Sequence, residues 1–264
     1  LGAGDAGVAG ALSSVVSVMS AVSRKYDRPV RGLPRGAAYA AAPPRWGQRG
    51  CNNGHIMFTP ALPPQSSRSP LALRQGTVAA TPMAFVQAVV LAYARRGMDA
   101  AEVLARAHIA PAQLARTDAR ITAWQMEVLC EGAMRELDDE ALGWFERRLP
   151  WGSYGMLARA SLSAPTLGLA LARWCRHHAL LTQAIELRLT QQPGGQAQLA
   201  IEERCDLGPL REFCLVSVLR NVLGLASWLV DSRLPVLGAQ FPFAAPAHAP
   251  AYGVLFDGAF GFAA

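Results

Sequence analysis

The stretch "PLREFCLVSVLRNVLGLASWLVDS" constrains the fold of this chain most. Read as a helix over Pro209–Asp231, its polar positions form one narrow strip: Ser217, Arg220, Gly224, Ser227 and Asp231. A helix apolar around most of its circumference has to be enclosed on several sides. The segments around it supply the enclosure. Upstream, "IELRLTQQPGGQAQLAIEE" alternates at Ile185, Leu187 and Leu189, turns at Pro193-Gly194-Gly195, and alternates again at Ala197, Leu199 and Ile201. That pattern is a hairpin with one buried face. Downstream, "LPVLGAQFPF" and "AFGFAA" read as two further strands.

The part before the hairpin is helical in texture. In "TPMAFVQAVVLAYARRG", Thr81 reads as N-cap, Pro82 as first helical residue and Gly97 as stop. "DAAEVLARAHI" follows, with Asp99 capping. "ITAWQM" combines a capping box, Thr122 with Gln125, and a hydrophobic staple, Ile121 with Met126; its helix is expected to reach about Leu137. "DDE" (Asp138–Glu140) reads as the solvated acidic start of a helix through "ALGWFERRL". A further helix is expected from Ser163 to Leu181, with Leu167, Leu171, Trp174, His178 and Leu181 on one apolar face and Arg176 opposite. The expected class is α+β: N-terminal helices, then a small, mainly antiparallel sheet packed with helices.

Residues 1–80 have a different composition. They are rich in Gly, Ala, Pro, Ser and Arg and hold nine Lys/Arg against two Asp/Glu, whereas residues 81–264 hold sixteen against seventeen. The basic balance of the chain (net +6) therefore lies in this leader, and residues 81–264 carry no electrostatic footprint for nucleic acid. We read 1–80 as a disordered basic leader, unable to bury enough apolar surface to offset chain entropy, and 81–264 as one folded domain. The initial Leu, and a single Lys beside 24 Arg, suggest a translated upstream extension, with Met57 or Met83 as the native start; a basic tail for an acidic surface is the alternative. "AGALSSVVSVMSAVSRK" lacks the basic n-region of a signal peptide. No run of about 18 apolar residues suggests a membrane span. Five cysteines without CxxC or metal-ligand spacing suit a reducing, cytoplasmic setting. No metal site or cofactor is expected.

Three stretches invite chemistry. "PWGSYGM" places Ser153 between glycines, but a nucleophile elbow needs Gly at 151 and 155, and position 151 is Trp. A turn is the preferred reading and a Ser153 hydrolase the alternative. "RWCRHH" offers Cys175, His177 and His178, without the i, i+4 spacing that lets two side chains share a metal. His178 reads first as a satisfied core histidine and second as a ligand contact. "DAAEVLARAHIAPAQLAR" imitates a helix-turn-helix, but its second half carries one cation and begins with Pro. Aromatic and isolated-cation placement nominates Trp151, Tyr154, Arg159, Trp174, His178, Arg211 and Trp228 as pocket residues, Arg211 standing evenly between anion binder and solvated arginine.

Four segments together resemble a known family: "AYARRGMDAAEVLARAHIAPAQL", "DARITAWQMEVLCEGAMRELDDEALGWF", "WGSYGMLARASLSAPTLGLALARWCRHHALL" and "FPFAAPAHAPAYGVLFDGAFGF". From about Thr81 onward the chain resembles the N-terminal sensor domain of AraC/XylS-type transcriptional regulators, in the arabinose-binding-domain-like group that includes ornithine-utilisation regulators. The resemblance implies a non-catalytic domain that binds a small-molecule effector and forms a homodimer. It implies contact with promoter DNA only through a C-terminal helix-turn-helix domain that this chain lacks, and no membrane partner. It assigns no ligand residues. A pure protein-interaction domain with a closed core is a third reading.

Overall fold

The computed structural model describes residues 15–21, 79–192 and 195–263. Of the expectations above, the Pro193-Gly194 turn, Cys51 and Met57 lie outside the described residues, as does the leader apart from 15–21 and 79–80.

Strand β1 (Val15–Ala21) lies within the stretch read as the leader. Its seven residues pair antiparallel with β5 (Gln196–Glu203) on one side and with β6 (Val236–Phe241) on the other. With β4 (Ile185–Gln192) and β7 (Ala259–Phe262) the sheet order is β4-β5-β1-β6-β7, so this strand from the leader occupies the centre. The sequence "VVSVMSA" carries three β-branched valines, a composition that fits a pleated, paired segment. All neighbours are antiparallel except β6 and β7, which run parallel. The α+β class and the mainly antiparallel sheet hold, but a strand precedes the helices.

The hairpin forms in the expected register, with Leu187 opposite Ile201 and Leu189 opposite Leu199. Ile185, Leu187, Ala197, Leu199 and Ile201 are buried. On the other face Glu186, Arg188, Glu202 and Arg204 make a surface ion-pair network. Between β6 and β7 the chain makes a short helix, α7 (Ala251–Phe256), and turns through Asp257 at φ +49°. Gly258 is required in that turn, because a Cβ there would stand 2.4 Å from the Val236 carbonyl oxygen.

The helices cover the buried face. Helix α1 (Met83–Ala94) starts one residue later than expected, with Pro82 rather than Thr81 as N-cap, because Thr81–Pro82 form the short strand β2 against Arg120–Ile121 (β3). Helix α2 (Ala101–Arg106) is followed only by a three-residue 3-10 turn at Pro111–Gln113, so no recognition helix stands behind the helix-turn-helix imitation. Helix α3 (Ala123–Glu136) has the expected capping box: the Gln125 amide donates to Thr122 Oγ1 (3.2 Å), and the Thr122 amide donates to Gln125 Oε1 (3.0 Å). Helices α4 (Ser153–Leu162) and α5 (Leu167–Leu181) follow. Helix α5 begins four residues later than expected, where Thr166 Oγ1 accepts from the Leu169 amide.

Helix α6 (Arg211–Leu229) is the core helix, burying Phe213, Cys214, Leu215, Val216, Val218, Leu219, Val222, Leu225, Ala226 and Leu229. With its leading turn, Gly208–Leu229 is also long and apolar enough to cross a bilayer by length and composition, contrary to the expectation that no apolar run suggests a span, but more than half of it is buried within the fold. Its polar strip is not simply solvated: Arg220 donates to the Leu255 carbonyl and holds α7 in place. At the other end, Glu212 Oε1 meets His248 Nε2 and accepts from Tyr252 Oη, both at 2.6 Å.

Candidate functional site

"ALGWFERRLP" does not form a helix. Asp139 is completely buried, and its carboxylate organises the segment as a loop. Asp139 Oδ1 accepts from the amides of Ala141 (3.0 Å) and Leu149 (2.9 Å); Oδ2 accepts from the Gly143 amide (2.9 Å) and from the Arg96 guanidinium (2.6 Å). Four charge-assisted bonds satisfy the buried anion. The reading of "DDE" as a solvated helix start is thereby corrected. The next residue, Glu140, continues the arrangement. Its two oxygens accept from the amides of Gly152 (2.7 Å) and Tyr154 (2.6 Å), at the start of α4. A carboxylate there satisfies orphan donors and complements the helix dipole. Burial still dominates and raises the Glu140 carboxyl above its ordinary range, against those two amides. Gly152, at φ +96°, supplies the left-handed turn between loop and helix.

Glu140 therefore fixes where α4 begins and so where Tyr154 stands. Tyr154 points into the interior and stacks on Trp174 of α5, with ring centroids 6.0 Å apart and planes 19° apart. One turn on from Trp174, His178 brings Nε2 to 3.4 Å from the Tyr154 hydroxyl. Leu167, Leu171, Trp174, His178 and Leu181 are all buried and Arg176 is exposed, as the helical projection requires. Helix α5 packs on α4, β4 and α6, and Cys214 of α6 lies within electrostatic reach of the Tyr154 hydroxyl.

This cluster holds its protons in a definite way. Burial pushes the Tyr154 phenol well above its ordinary value, so it remains a donor at neutral pH. Burial pushes His178 down to about 4, so its ring is neutral. A phenol donating to Nε2 leaves the imidazole proton on Nδ1. Yet neither His178 Nδ1 nor Trp174 Nε1 has a hydrogen-bond partner, although both atoms are buried. The reading of His178 as a satisfied core histidine fails at Nδ1. Two unmet ring nitrogens one helical turn apart are a concentrated desolvation cost, and groups in that condition need a functional or structural account.

The other nominated residues stand elsewhere. Trp151 is half-buried beneath the Arg135 guanidinium, 4.7 Å from its ring, and its amide donates to Asp138. Arg159 is on the exposed side of α4. Arg211 pairs bidentately with Glu203, 2.7 Å on each arm, over the Phe243 ring. Trp228 is 45% exposed near the end of α6. Sequence reasoning missed Asp139 and Glu140, whose signal was three consecutive acids just before a turn-rich segment.

Ser153 is the first residue of α4, and its hydroxyl donates to the Pro150 carbonyl at 2.6 Å. The His178 imidazole meets the Tyr154 hydroxyl. Ser153→Ala is expected to change stability by less than about 0.5 kcal/mol and to leave any turnover of p-nitrophenyl acetate unaltered. A real esterase activity lost on that substitution would restore the hydrolase reading. Among the described residues, no three His, Cys, Asp or Glu side chains gather as a metal site would require.

Comparison with known proteins places this geometry. Residues 97–264 match the family model for the N-terminal arabinose-binding domain of AraC transcription regulators. The chain is also similar to the ornithine utilization regulator of Pseudomonas aeruginosa, 27% identical over 181 residues, which are 68% of this chain and 53% of that protein. The chain thus spans about half the length of that curated relative. The matched region contains α2 to β7, and with them the whole Tyr154–Trp174–His178 cluster. The chain belongs to the family of arabinose-binding domains of AraC-type transcription regulators.

Proposed function

We propose that this domain senses a small-molecule effector in the cytoplasm, as a homodimer, and controls promoter binding through a DNA-binding domain outside this chain. The folded unit comprises β1 and residues 79–263. The observation that carries the reading is the pair of buried, unpartnered ring nitrogens, Trp174 Nε1 and His178 Nδ1, beside the Tyr154 hydroxyl. Indole Nε1 is only a donor, and Nδ1 is a donor in the tautomer in which the Tyr154 hydroxyl donates to Nε2. An effector oxygen accepting from these groups removes the desolvation cost and stabilises the fold by mass action. The relative's name makes ornithine a reasonable member of a first ligand panel, with sugars, amino acids and hydroxy acids alongside.

The test is thermal unfolding of the full chain against that panel. At least one compound is expected to raise the midpoint, and His178→Leu is expected to lose most of that rise while remaining folded without ligand. A variant that cannot fold without ligand would make His178 a core residue. A rise unaffected by the substitution would move the effector elsewhere.

The same substitution has a pH signature. His178 titrates near 6.5 in the unfolded chain and near 4 in the folded one. As pH falls, the unfolded chain takes up the proton first. The contribution of neutral His178 is therefore fully present above about pH 6.5 and is lost as pH falls towards 4. Its full size is on the order of 3 kcal/mol. His178→Leu is expected to lack this limb, so that the stability difference between wild type and variant changes by that amount from about pH 6.5 to 4; a variant that keeps the limb unchanged would mean that the ring is not held neutral.

A further inference from the structure

The inner face of α5 is selective about the group that can meet it. Its two buried atoms without a hydrogen-bond partner, Trp174 Nε1 and His178 Nδ1, are both N–H groups while the Tyr154 hydroxyl donates to His178 Nε2. The other buried polar side chains of α4 and of the end of α5 are engaged. The Ser161 hydroxyl donates to the Leu157 carbonyl (3.2 Å), and the Thr182 hydroxyl accepts from the Ala184 amide (3.1 Å). The elements packed on α5 otherwise bury apolar groups, among them Leu157 on α4, Leu187 on β4 and Val218 on α6. What this face lacks is an acceptor.

Charge narrows the choice further. Glu140 accepts from the Tyr154 amide at 2.6 Å, and Asp139 is its neighbour in the chain. Both carboxylates push the Tyr154 phenol upwards, after burial and together with the Cys214 thiol, and among the described residues no cation acts on it. His178 is shifted by burial alone. The arginines of the surrounding helices are turned elsewhere. Arg159 and Arg176 are exposed, Arg173 donates to the Ser163 hydroxyl (2.9 Å), and Arg211 is paired with Glu203. An anion reaching the two ring nitrogens would lose its water and find no guanidinium to replace it. An ammonium would set N–H against N–H.

We propose, on the reading that this cluster is the effector site, that the effector group entering it is an uncharged oxygen acceptor, best a carbonyl. Any carboxylate or ammonium of the same molecule stays outside the cluster. A carbonyl oxygen has two lone pairs and no proton of its own, which matches two N–H donors among apolar side chains. A hydroxyl fits less well, because its proton needs a further acceptor.

Two matched series of probes test this on the full chain at neutral pH and fixed ionic strength. One is cyclohexanone, cyclohexanecarboxylate and cyclohexylammonium; the other is butanone, butyrate and butylammonium. The readout is the Trp174 indole N–H resonance, assigned by its loss in Trp174→Phe. In at least one series the ketone is expected to move it downfield and to saturate at a concentration about tenfold or more below the two charged probes. Trp174→Phe keeps the ring and removes the donor. It is expected to weaken that ketone about 3- to 10-fold when binding is followed by the unfolding midpoint. A carboxylate or ammonium that moves the resonance at the same concentration as its ketone, or a lower one, would overturn the proposal and leave the effector site standing. If none of the six moves it, the proposal also falls. A compound that raises the midpoint while the resonance stays in place would remove the effector site along with it.

Discussion

Val18→Pro is expected to destabilise the whole domain, although residue 18 lies in a segment whose composition reads as a solvated leader. The substitution removes an amide donor from a strand that is paired on both sides, leaves a carbonyl on a neighbouring strand without its partner, and puts a ring where the ladder has no room. An unpaired buried carbonyl alone costs about 1–3 kcal/mol. Displacing the strand also opens the β5 and β6 edges on either side. We expect a loss of roughly 3 kcal/mol or more in urea unfolding, with faster amide exchange along both β5 and β6. Val18→Thr, which keeps the backbone and the β-branch, is expected to lose far less. Chains begun at Met57 or Met83 lack β1 altogether and are expected to show the same open edges. Unchanged unfolding of Val18→Pro would mean that β1 does not belong to the sheet.

Asp139→Ala is the second large loss. The carboxylate is fully buried and is the common acceptor for three loop amides and for Arg96, 43 residues earlier in the chain. Breaking a buried charge pair by removing one partner costs about 3–5 kcal/mol. That corresponds to a midpoint lower by on the order of 10 °C for a domain of this size. Asp139→Asn is expected to recover little, because one of the two oxygens becomes an amide that faces N–H donors. The effect reaches the candidate site as well: the loop carries Glu140, and Glu140 holds the start of α4 and Tyr154. A midpoint within about 2 °C of wild type, roughly 0.5–1 kcal/mol at this size, would show that the loop is held by something other than Asp139.

These two residues also mark what the sequence conceals. Local, periodic features are legible: the Thr122–Gln125 capping box, the hairpin register, and the face of α5 that carries Trp174 and His178. Each is set by neighbours within one or two turns or by a two-residue alternation. Asp139 has its partners up to 43 residues back and 10 residues ahead, so three adjacent acids read locally as a helix start. Strand β1 requires one edge about 180 and another about 220 residues downstream, and seven residues of modest alternation within Gly/Ala-rich chain give no sign of them. Arg211 shows the same limit on a helix. The sequence leaves it evenly between anion binder and solvated arginine, and only the folded hairpin brings Glu203 to it. The Tyr154–Trp174–His178 cluster was legible as a face plus a nearby aromatic. The unmet nitrogens that make it a candidate were not.

The most direct measurement is the indole N–H resonance of Trp174 in a two-dimensional nitrogen–proton spectrum, assigned by its loss in Trp174→Phe. It is recorded without ligand and during titration with whichever panel compound raises the unfolding midpoint. If the unpartnered indole nitrogen is part of the effector site, the resonance moves downfield in proportion to occupancy as it gains an acceptor, and His178→Leu weakens the titration. A compound that saturates the protein while this resonance stays in place would contradict the assignment of the site to Tyr154, Trp174 and His178.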